Sequence, residues 1–172
     1  MQHIILFLNR VNRVVGSVCA LLMLLMMLNV FVDVLMRYWF NNPSIAFQEL
    51  EWHLFAAMFM LGIGYTFKEN GHVRVDIFYE RFSAKTQALI NILGIVICVL
   101  PFAGLMVYFG IDFVGQSFSM SEGSADPGGL PMRWLVKAVI PCAFGFLILS
   151  AFTAVLEQIT VLKPPAKTIG TS

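Results

Sequence analysis

Four stretches of almost uninterrupted apolar residues decide what this chain can fold into. A helix crossing a bilayer core of ~30 Å needs about 20 such residues at ~1.5 Å rise each. Val14 to Met36 is broken only by Ser17, Asn29 and Asp33, and Ala88 to Ile111 only by Asn91. Ala138 to Leu156 has Pro141 one turn inside its start, where early N–H groups lack helical partners and a proline costs little. The shortest run, Leu54 to Phe67, gains length from Asn42 and Pro43, which read as an N-cap and first helical residue. That helix then carries Glu49, Glu51, Trp52 and His53 at headgroup level. The expectation is an all-α integral membrane protein, one domain over residues 1–172, with spans at about 14–36, 44–67, 88–111 and 135–157.

Composition excludes the soluble alternative. Of 172 residues, 59% are hydrophobic and 12% charged, against about 25% charged in a soluble domain. Such a chain cannot cover a water-facing surface. A net charge of +1, with Lys and Arg spread along the chain, leaves no basic patch for nucleic acid.

Lys and Arg set orientation. Arg10, Arg13, Lys68, Arg74, Arg81, Lys85, Lys163 and Lys167 fall on one side of the membrane, and only Arg37, Arg133 and Lys137 on the other. The positive-inside rule places both termini in the cytoplasm of an inner-membrane, multi-pass protein. Arg10 and Arg13 ahead of an apolar run also suit a signal peptide. This run is too long and ends without a small-x-small cleavage site, so it reads as a retained helix. Residues 1–12 read as a short interfacial helix, and residues 163–172, with Pro164 and Pro165, as a loose tail.

Candidate chemistry is sparse. Cys19, Cys98 and Cys142 lie in separate apolar runs and read as small buried hydrophobes with no disulfide framework. His3, His53 and His72 do not converge, which leaves no haem or zinc site, and no nucleophile elbow, P-loop or acid pair suggests an enzyme. No cofactor is expected in this chain.

Three polar groupings stand out because lipid makes them expensive. Asn29, Asp33 and Arg37 recur every four residues on one helix face, either as an end-of-span ion pair or as a face turned toward protein. Glu49 and His53 share a face beside Glu51, either solvated or facing a neighbouring subunit's cation. Arg133 and Lys137 stand one turn apart at the outer end of span four, suited to headgroups or to Glu49 and Glu51. These eight residues are the subunit-interface candidates. The middle third of every span lacks an ionisable group, and the one midspan breaker, Pro101 with Gly94 and Gly104 nearby, reads as a packing kink. Gly16 and Ala20, one turn apart, suit close helix approach.

The stretch from Gly62 to Asp76 is the most distinctive. Gly62-x-Gly64-Tyr65 closes a span, and Gly71-His72-Val73-Arg74-Val75-Asp76 follows in the cytoplasmic loop, read as an amphipathic segment grazing the membrane. With Arg37-Tyr38 after span one, Glu49-Leu50 at the head of span two, and Gly129-Leu130-Pro131 and Ile140-Pro141 around span four, the chain resembles the small Q-type membrane subunit of tripartite ATP-independent periplasmic (TRAP) transporters. The resemblance covers most of the chain and marks Gly71, His72, Arg74 and Asp76 as a family-motif loop. It implies a scaffold, without a substrate site, for a larger elevator-type subunit that holds sodium and substrate. It further implies a periplasmic binding protein delivering an organic acid, with overall likeness leaning to sialic acid over C4-dicarboxylates. The Gly/Pro-rich loop Ser124 to Gly129 departs from the family pattern and reads otherwise as a turn-forming connector.

Two other classes compete. A self-sufficient small multidrug exporter needs a titratable acid deep in a span, and Asp33 alone approaches that. A membrane redox subunit needs converging haem ligands, which the scattered histidines do not supply.

Overall fold

A backbone in lipid must satisfy its own hydrogen bonds, and helix is the only regular secondary structure among the described residues. The computed structural model describes residues 2–69, 79 and 82–162. Helix α1 spans Gln2–Tyr38, α2 Ile45–Lys68, α3 Ala84–Gly94, α4 Leu100–Ser119 and α5 Trp134–Leu162. A π-helical turn, Ile95–Val99, joins α3 to α4. The family-motif residues Gly71, His72, Arg74 and Asp76, and the expected loose tail 163–172, lie outside the described residues.

Three helices are long and apolar enough to cross a membrane: His3–Tyr38, Ala84–Ser119 and Trp134–Leu162. Helix α2 has 24 residues but is less apolar, with Glu49, Glu51 and Lys68 within it.

Two helix starts differ from the sequence expectation, and the structure sets two prolines within their helices. No break separates residues 2–12 from span one: α1 runs for 37 residues. Leu8 and Asn12 are buried, and Ser150 Oγ donates to Asn12 Oδ1 at 2.9 Å, so this segment is held on α5 as a continuation of the span. Helix α2 starts at Ile45 with Ser44 as its N-cap, because Asn41 adopts φ 49° and the backbone N–H of Asn42 is spent on the carbonyl of Met36. Pro141 lies two turns inside α5, which begins at Trp134, so it is not in the first turn. Its ring fills the space over Gly110, where a Cβ would stand 3.2 Å from Pro141 Cδ. Pro101 is absorbed by the π turn: Leu100 N–H bonds the carbonyl of Ile95, and the wider turn accommodates a residue that lacks a donor and would crowd the preceding carbonyl.

Packing runs in the order α1, α2, α5, α4. Helices α1 and α2 are antiparallel, with Gly16 against Tyr65 at one end and Asn29 Nδ2 donating to the carbonyl of Phe47 at 2.8 Å at the other. Ala103, Phe144 and Leu147 form the core between α4 and α5, joined by Met60 and Ile63 of α2. Cys19 is half-buried, whereas Cys98 and Cys142 are exposed. The latter two lie on outward faces, because the core between the helices is filled by other side chains.

Gly64 sits where a Cβ would come within 2.5 Å of Phe146 Cδ1 and 3.3 Å of the Leu147 backbone nitrogen. Gly64→Val is expected to push α2 off α5 at about 1–3 kcal/mol, the usual cost of overpacking. Gly62→Ala, where nothing lies within 4 Å, is expected to be silent. Thermal unfolding midpoints in detergent check the pair.

Candidate functional site

One end of the bundle is organised around one buried carboxylate. Glu49, in the second turn of α2, is 5% exposed. Its Oε1 accepts from Ser124 Oγ, and its Oε2 accepts from the Leu130 backbone N–H at 2.5 Å. Arg133, just ahead of α5, brings Nη2 to 3.5 Å from Oε1, and its guanidinium lies 6.0 Å from the Trp52 ring centroid. A carboxylate removed from water requires such donors and a cation.

The loop that supplies them is shaped for the purpose. Ser124 N–H bonds the carbonyl of Leu130 at 3.1 Å, Gly129 N–H that of Asp126 at 3.0 Å, and Gly128 takes φ +84°. A Cβ on Gly129 would stand 2.7 Å from Glu49 Oε2 and also strike Ser124. The Gly/Pro-rich stretch is therefore a cradle closed over Glu49, and its glycine is required by space.

A second acid completes this end. Glu122 pairs with Lys137 and accepts from Ser117 Oγ at 2.7 Å. The Arg133 N–H bonds the Glu122 carbonyl at 2.9 Å, and Lys137 Nζ rests 4.3 Å from the centroid of Phe113. Lys137 followed by Ser117 holds the Glu122 carboxyl below its ordinary value of 4.5.

The opposite end carries the matching arrangement. Lys68 Nζ lies 2.9 and 2.8 Å from the two oxygens of Glu157, and Asn9 Nδ2 donates to Glu157 Oε1 at 3.2 Å. Helices α1, α2 and α5 are thus tied at one level. Glu49 meets Arg133 and Lys68 meets Glu157, so α2 and α5 run parallel with an ionic clasp at each end.

Of the candidates from sequence, the structure brings Glu49 and Arg133 together. Lys137 goes to Glu122 and not to Glu49 or Glu51, because Glu49 is already saturated by the cradle. Glu51 is half-buried and has no hydrogen bond or ion pair among the described residues. His53 Nδ1 lies 2.5 Å from the Glu49 carbonyl, one turn back, with its ring 4.0 Å from Trp52. Asp33 is buried and paired with Arg37 at 2.5 Å. Its neighbour Asn29 is turned to α2, so this face meets protein of the same chain. Ser124 and Asn9 carry no sequence signal of their own, and Gly129 stands in a family motif that does not reveal its role. Glu157 and Glu122 carry a faint one, an acid placed to meet a base at the same end of the bundle.

A helical membrane chain whose charges are clasped to one another at its two ends, with large apolar outer faces, defines a membrane-embedded subunit. Residues 26–161 match the family model of the tripartite ATP-independent periplasmic transporters, DctQ component, and the chain belongs to that family. It is 29% identical over 119 residues to the C4-dicarboxylate TRAP transporter small permease protein DctQ of Pseudomonas aeruginosa, an alignment covering 65% of this chain and 56% of that protein. A Haemophilus influenzae protein bearing the name of a TRAP transporter small permease is 26% identical over 106 residues, covering 59% of this chain and 66% of its own. The chain thus spans less than two thirds of the length of these relatives.

Two outcomes follow at the Glu49 end of the bundle. Glu49→Ala strands Arg133 and two cradle donors, and is expected to cost about 3 kcal/mol, the lower end for breaking a buried pair. Adding Arg133→Ala should cost less than the sum, as a double-mutant cycle on unfolding midpoints will report. Glu122 has a depressed folded-state value, so its contribution is fully present above pH 4.5 and is lost as pH falls through the lower folded value. Trp134 emission, followed through acid titration, should shift in that window, and Glu122→Gln should flatten the response.

Proposed function

We propose that this chain is the stationary, scaffolding subunit of a binding-protein-dependent TRAP transporter. Its four helical passes, α1, α2, α3–α4 and α5, leave both termini in the cytoplasm of a bacterial inner membrane. A large membrane subunit carries sodium and substrate, and a periplasmic binding protein delivers an organic acid to it. The observation that carries this reading is the pair of clasps: every cation and acid in them is spent on holding the bundle together, and none is left to bind cargo.

The clasps also support α2 as a fourth pass. Glu49 and Lys68 are 68 − 49 = 19 residues apart, or ~28 Å of helix rise, close to the ~30 Å of a bilayer core. Asp33, on which a self-sufficient exporter would depend, is neutralised by Arg37, which speaks against that reading. The substrate class is an organic acid. Overall likeness leans to sialic acid, while the Pseudomonas relative is named for C4-dicarboxylates.

The test is reconstitution into vesicles with and without the large subunit and binding protein, under an inward sodium gradient. Uptake of labelled sialic acid or of a labelled C4-dicarboxylate is expected only from the complete set. Sodium-driven uptake by this chain alone would overturn the scaffold reading.

A further inference from the structure

The outward faces of α1 and α4 are both apolar, but they differ in one respect. Between Val18 and Phe31 the exposed side chains of α1, such as Leu21, Leu24 and Leu28, carry no charge. On α4 the exposed stripe contains Tyr108, Ile111 and Asp112. Asp33, Glu49, Glu122 and Glu157 each have a cation within the chain; Asp112 has no hydrogen bond or ion pair among the described residues, and of the two helical acids in that position, Glu51 and Asp112, only Asp112 is exposed.

Its depth makes that unusual. Phe118 and Trp134 meet at 5.4 Å and form an aromatic pair of the kind that marks a membrane–water interface. Asp112 is six residues before Phe118 on the same helix, or ~9 Å nearer the bilayer centre. Helical side chains lean toward the helix N-terminus, which for α4 is the inner side, so the carboxylate leans away from the outer headgroups. Lys137, at a similar level, extends its long stem outward to Glu122; an aspartate is too short for that. An acid exposed on a membrane helix at such depth calls for a protein surface with a cation. Gly115, on the same face, has nothing over it within 4 Å and leaves room for a second helix beside the carboxylate.

We propose that this face of α4 is where the large membrane subunit docks, with a Lys or Arg near the outer end of one of its helices paired to Asp112; the assignment rests on the scaffold reading above. The charge-free face of α1 is then the one turned to lipid.

The experiment uses the co-expressed two-subunit complex in native membranes. Ile111→p-benzoylphenylalanine is expected to give a photoadduct with the large subunit, and Leu24→p-benzoylphenylalanine only lipid adducts. Asp112→Lys is expected to lower recovery of the large subunit on an affinity-tagged small subunit by about tenfold or more, the effect of losing a desolvated ion pair. Reversal of a single cation in the large subunit should restore it. Adducts from position 111 confined to lipid, or adducts to the large subunit from position 24 alone, would overturn the assignment while co-purification of the wild-type pair still upheld the scaffold. Because the crosslinks keep Asp112 intact, the proposal stays testable even where Asp112→Lys fails to accumulate.

Discussion

A carboxylate that has left water must find its donors inside the protein, and the rest of this structure is arranged around that demand at Glu49. The loop between α4 and α5 bends back to offer a hydroxyl and a backbone N–H, a glycine clears the space, and Arg133 closes the charge. Meeting the demand fixes the start of α5 beside the start of α2. Pro141 then falls against Gly110, and Phe146 and Leu147 fall against Gly64. The apolar core is thereby set in register by a polar contact at its rim. Between helices already in lipid, the hydrophobic effect favours no particular partner.

The fold was legible in the chain to the extent that lipid simplifies it. Apolar runs bracketed by charge mark helices, and a link from Arg133 or Lys137 to Glu49 or Glu51 was readable as one of two options, lipid headgroups being the other; the structure takes Arg133 with Glu49. The cradle was not legible. Ser124 and Gly129 look like any polar turn, and their roles depend on a carboxylate 75 residues away from Ser124. Pairing of Lys137 with Glu122 and of Lys68 with Glu157 depends on how helices neighbour one another, which local periodicity does not encode. The extension of α1 through residues 2–12 has a tertiary cause: the bond between Ser150 and Asn12 holds turns that hydropathy alone would end.

Membership of the TRAP small-subunit family and the internal use of the clasp charges fit together. The scaffolding role proposed above calls for rigidity and for few open ionisable groups. Helices α2 and α5, parallel and fastened at both ends, resist the sliding that a moving element needs. The outer surfaces of α1 and α4 remain to face lipid or protein.

Each clasp joins a segment made early to one made late. Asn9 and Lys68 wait for Glu157, Asn12 waits for Ser150, and Glu49 waits for the loop at 124–133. Asn29 with Phe47 and Asp33 with Arg37 are satisfied within α1 and α2, but Asn9, Asn12, Glu49 and Lys68 stay unmet until α5 and the loop before it have arrived. Completion of the chain is itself the latch. A product cut short before Glu157 leaves Lys68 and Asn9 without the carboxylate they share.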